Sequence, residues 1–176
     1  MKASVLLVGS LAFISLASVG AGPASAGGSE NAPETSSTSP DIVTGSDFDA
    51  IVAALEENGF QVELTEDKSG DPLIRSTDKQ EPFSLQFYKC TDGKDCQFMQ
   101  FISGWDLPNG VQLQTLQDWN SKKVWGQAYR DDKKDPWLAL PVNLKGGVTT
   151  ENLSDTVDWW KTILKQYAEF IGWTKR

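Results

Sequence analysis

Cys90 and Cys96 are the two thiols of a 176-residue chain that contains no histidine. They bracket Thr91-Asp92-Gly93-Lys94-Asp95, and Asp-Gly is a strong hairpin signal because glycine tolerates positive φ. Redox-active pairs usually sit closer, as Cys-x-x-Cys at the start of a helix, so the spacing favours a structural disulfide across a hairpin. The absence of histidine removes Ser/His/Asp and Cys/His nucleophilic sites and most catalytic zinc sites. Asp131, Asp132 and Asp135 surround two lysines, without the alternating oxygen ligands and distal glutamate of a calcium loop. They read as a solvated turn, and Glu66, Asp67 and Asp71 around Gly70 read the same way. No phosphate-cradling glycine motif follows a strand and opens a helix. The residues therefore suggest no catalytic group, no metal site and no cofactor. Paired carboxylates can still hydrolyse glycosides, which keeps a carbohydrate-active protein as the alternative to a binding module.

Aromatic faces are the remaining recognition chemistry. Seven tryptophans are many for one small domain, and most should be core. Trp119 and Trp160 fall on apolar stripes. Trp159 is one position off its helix's apolar line and Trp173 follows a helix terminus, so these two are the candidates for a partner-binding surface. Asn120, beside Trp119 near a helix end, is expected to hydrogen-bond backbone locally.

These residues need elements to hold them. Ser46 is expected to cap a helix through Phe48, Ile51, Val52 and Leu55 that Gly59 stops. Alternation then predicts strands at Phe60 to Leu64, Leu73 to Ser76, Phe83 to Cys90 and Cys96 to Trp105, the last two an antiparallel pair. A second helix is expected over Leu113 to Ser121, strands over Val124 to Arg130 and Trp137 to Leu144, and a last helix from Thr150 to Gly172. The order α-β-β-β-β-α-β-β-α with hairpin-length connections predicts an α+β domain, an antiparallel β-sheet covered by helices.

Ahead of this domain, assigned to residues 41–176, an apolar run from Val5 to Val19 leads to Ala24-Ser25-Ala26. That pattern predicts a signal peptide over residues 1–26, cleaved before Gly27, with no membrane span left afterwards. Residues 27–40, GGSENAPETSSTSP, carry no large apolar side chain and read as a disordered linker. The expected location is periplasmic or secreted, where a disulfide persists. A net charge of -8, with 16 basic against 24 acidic residues, argues against nucleic-acid binding.

The blocks FSLQFYKCTDGKDCQFMQFISGW, LQDWNSKKVWGQAYRDD and PVNLKGGVTTENLSDTVDWW resemble, in that order, the YbjN family of bacterial proteins, especially secreted members with paired cysteines. The resemblance implies a fold like that of type III secretion chaperones, often a dimer, and regulator or chaperone-like binding of a polypeptide with no defined reaction. Those chaperones act in the cytoplasm, so with an export signal their secretion role does not transfer. The expectation is an exported, non-catalytic module docking a peptide or protein in the cell envelope.

Overall fold

The structure is a computed structural model that describes residues 41–78 and 82–173. The leader and linker of the sequence reading lie outside these residues. The elements, in chain order, are β1 (Ile42–Val43), α1 (Phe48–Glu57), β2 (Val62–Glu66), β3 (Pro72–Ser76), β4 (Ser84–Tyr88), β5 (Phe98–Gly104), α2 (Leu113–Lys122), β6 (Gln127–Arg130), β7 (Pro136–Asn143), β8 (Val148–Thr149) and α3 (Thr150–Phe170). The α+β order holds. Two short strands are added to it: β1 and β8 pair with each other in a separate ribbon.

The other strands form one antiparallel sheet in the order β2-β3-β4-β5-β7-β6. Register decides which side chains face the helices, because paired residues of antiparallel strands share a face. Leu85 lies opposite Phe101, and Phe101 opposite Leu140, so these buried side chains form one row under the helices. On that side α3 packs its buried stripe of Leu153, Val157, Trp160, Ile163, Leu164 and Tyr167. Trp160 meets Phe83 and Phe101, and Tyr167 meets Trp105 and Trp119. The Thr149 hydroxyl caps α3 by accepting from Asn152 N–H at 3.1 Å.

The start of α1 differs from the sequence expectation. Asp47 occupies the N-cap position without capping, and its carboxylate accepts from the Thr44 N–H (2.8 Å) and hydroxyl (2.7 Å). These bonds hold the Asp47 carboxyl below its ordinary range. Ser46 is engaged elsewhere: its hydroxyl donates to the Asp95 carboxylate (2.6 Å) and accepts from Asp95 N–H (2.9 Å). A contact 49 residues away in sequence thus claims the expected cap.

Cys90 and Cys96 are joined by a disulfide. Between them Asp92 and Gly93 both adopt positive φ, as a type I′ turn requires, and Thr91 bridges Lys94. Cys96 N–H donates to the Gly45 carbonyl at 3.1 Å, and a Cβ at Gly45 would overlap the Cys96 carbonyl. The cross-linked hairpin is therefore pinned to the start of α1.

Candidate functional site

Trp119 and Asn120 lie near the end of α2, and both reach across to the next strand. The buried Trp119 indole donates to the Gly126 carbonyl at 2.9 Å. The Asn120 carboxamide accepts from Ala128 N–H (2.8 Å) and donates to Ala128 C=O (3.0 Å). One side chain with a donor and an acceptor thus occupies the outer edge of β6 as a neighbouring strand would. The bonding is to backbone, as expected of Asn120, but to strand β6 and not to its own helix end.

Those anchors fix the segment between them. Gly126 has φ +80, and a Cβ there would come within 2.8 Å of the Ile163 methyl and 3.0 Å of Leu138. The sequence pattern extends the strand back to Val124, yet β6 begins at Gln127, because the turn at Gly126 swings Val124 and Trp125 off the sheet. Val124 is 91% exposed and Trp125 48% exposed. The one sequence signal for Trp125 is a tryptophan just before a glycine and shortly after a helix.

Trp125 faces Trp159. The indole centroids are 6.2 Å apart at 37°, and Trp159 is 44% exposed on α3. Together they flank a groove of about 340 Å³ floored by Leu140, Pro141 and Val142 and rimmed by Asn143, Asn152, Asp155 and Thr156. Trp173 does not join them. It packs, partly buried, against the core beyond the end of α3, and the eleven helical steps from Trp159 to Phe170 alone span about 16 Å.

The groove also exposes backbone. Pro136 C=O accepts from Trp105 N–H and Leu144 N–H donates to Gln97 C=O, so even-numbered residues of β7 aim their peptide groups at β5. Odd-numbered residues aim theirs at β6. The last β6 pair is Gln127 with Ala139, which among the described residues leaves Pro141 and Asn143 with no strand beside them. Proline loses no ladder bond at an edge. The Pro141 carbonyl and the Asn143 peptide groups form a short open edge in the groove.

The acidic turns serve the backbone. Asp131 Oδ1 accepts from the N–H groups of Lys133 (2.9 Å) and Asp135 (3.0 Å). Slight desolvation raises the pKa of this exposed carboxyl, but bonds from Asp135, Trp137 and Lys133 and the Lys133 charge outweigh that and hold it below the usual carboxylate range. Asp67 Oδ1 does the same for Ser69 and Asp71 N–H. Glu151, Asp155 and Asp158 sit at i, i+4 and i+7 of α3, along one exposed stripe and not across a cleft from one another. Two-carboxylate hydrolysis needs acids on both sides of the scissile bond.

The sheet face turned away from the helices is also aromatic, but its rings are stacked in pairs: Tyr88 on Phe98 at 4.8 Å and Tyr129 on Trp137 at 6.3 Å. Among the described residues no helix is long and apolar enough to cross a membrane. A model of the bacterial YbjN family, described as "Putative bacterial sensory transduction regulator", matches residues 47–173. No curated protein matches the chain.

Proposed function

The chain belongs to the YbjN family, and from that premise we propose that it is an exported, non-catalytic binding module that docks an extended polypeptide segment of the cell envelope in the Trp125–Trp159 groove. The observation that carries this reading is the pairing of two half-exposed indoles beside an open strand edge. Tryptophan is enriched among binding hot spots, and an unpaired edge supplies main-chain hydrogen bonds to an added strand. The groove is rigidly built, since Trp119, Asn120 and Gly126 fix the Trp125 loop and the capped α3 fixes Trp159. Preorganisation lowers the entropy that binding must overcome.

Export is supported by the leader-like residues 1–26 and by a disulfide suited to an oxidising compartment. The absence of chemistry is supported by a histidine-free composition, by thiols that are bonded to each other, and by carboxylates committed to turns or to one helix stripe. Selection of a random peptide library on the immobilised protein tests the reading. The parent should enrich peptides that Trp125→Ala/Trp159→Ala protein does not retain. Enrichment that survives the double substitution would move the docking site elsewhere.

A further inference from the structure

Asp155 lies on the rim of the aromatic groove and also in a wider adjoining depression of about 780 Å³ that holds Glu151 and Asp158. All three carboxylates are exposed, and none has an ion-pair partner among the described residues. One lysine, Lys161, lies at its edge, and Lys123 is held farther along α3. Lys161 Nζ donates to the Asn58 carbonyl at 2.7 Å, and Lys123 Nζ donates to Gln166 at 2.8 Å while lying over the Trp119 ring. Bound to a neutral carbonyl of a lining residue, Lys161 keeps its charge and offsets one of the three carboxylates, so the depression keeps a net negative potential in a chain whose net charge is already -8.

From this charge pattern, and resting on the docking function proposed above, we infer that the segment taken by the groove is basic: an extended peptide with Lys or Arg at alternate positions, beside an apolar residue that packs on the two indoles. Spacing supports the alternation. Along the helix axis Glu151 and Asp155 are about 6 Å apart and Asp155 and Asp158 about 4.5 Å. Same-side residues of an extended chain repeat every ~6.6 Å, so a Lys-x-Lys pair spans neighbouring carboxylates. Glu151 sits in the first turn, where the positive end of the helix dipole offsets part of its charge. Asp158, which lines the depression but not the groove, is therefore the acid to test.

The experiment titrates the protein with two peptides of identical apolar residues, one carrying Lys-x-Lys and the other Gln-x-Gln, at low and at moderate salt. The lysine peptide should bind at least tenfold more tightly, and raising the salt should shrink that advantage several-fold. Asp158→Asn protein, changed at an exposed position in the depression but outside the groove, should lose at least threefold of the advantage while binding the glutamine peptide as the parent does. Equal affinity for the two peptides, both lost on Trp125→Ala/Trp159→Ala substitution, would overturn the basic preference and leave the docking reading standing. Binding of neither peptide would defeat the docking reading and the preference with it. Lysine-peptide binding that ignores the two tryptophans would reduce the effect to net charge and overturn the inference.

Discussion

Asn120 closes the outer edge of β6 by pairing its carboxamide with both peptide groups of Ala128, at 2.8 and 3.0 Å. Seven residues of chain loop out between the two partners, and Trp125 lies in that loop. Fold and groove are thereby coupled through one side chain. Asn120→Asp keeps the shape and the acceptor but turns the donor into a carboxylate oxygen facing a carbonyl. Stability at pH 7 should fall by about 1–3 kcal/mol. Below about pH 4 the introduced carboxyl protonates and can donate again, so part of the loss should return. Denaturant unfolding at the two pH values checks this, and equal stability to the parent at pH 7 would deny the clamp.

Gly126→Ala should be more severe than a usual surface change. The positive φ costs an alanine of order 1–3 kcal/mol, and the added methyl meets Ile163 and Leu138. Thermal unfolding reads the destabilisation. Near-ultraviolet circular dichroism should also change as the Trp125–Trp159 pair separates. An unchanged aromatic spectrum would mean that the loop is not held as described.

The disulfide closes a loop of seven residues, for which the chain-entropy model gives about 2.4 kcal/mol. Cys90→Ser/Cys96→Ser protein should lose stability of that order. Faster amide exchange should appear at residues 45–50, because the same hairpin bonds Gly45 and Ser46. Mass analysis of freshly isolated native protein after alkylation should find no free thiol. Two alkylated cysteines would contradict the bond.

Tyr167 is wholly buried and its hydroxyl has no hydrogen-bond partner among the described residues. Burial pushes its pKa above the ordinary 10. The sign of the linkage follows: above pH 10 the unfolded chain releases this proton and the folded chain keeps it, so stability falls as pH rises, by up to about 1.4 kcal/mol per pH unit. Tyr167→Phe should be neutral or stabilising near pH 7, since it removes an unpaired polar group, and should unfold less steeply with pH above 10 than the parent. A large loss at pH 7 would show that the hydroxyl has a partner.

What was legible in the sequence was local. The stripe from Leu153 to Tyr167 and the alternation of Phe83, Leu85 and Phe87 depend only on neighbours in the chain, and they became α3 and β4. Ser46 does not cap α1, because Asp95, 49 residues on, takes its hydroxyl. Trp125 was missed because alternation from Val124 to Arg130 reads as one strand, and the break at Gly126 is enforced by packing against Ile163 and Leu138. The open end of β7 depends on where β6 stops, which is a matter of register and has no periodic signal. Trp159 and Trp173 look equivalent as flanking aromatics, but the length of α3 separates them.

The central claim is that polypeptide docks in the groove lined by Trp125 and Trp159, and indole N–H resonances test it most directly because the seven tryptophans report separately. A peptide selected on the parent protein is added to nitrogen-15-labelled protein, with the indole signals assigned by single substitution. The Trp125 and Trp159 signals should shift on titration, while the buried Trp119 and Trp160 signals should stay in place. Shifts confined to Trp137 on the opposite sheet face, with Trp125 and Trp159 unmoved by a bound peptide, would contradict the account.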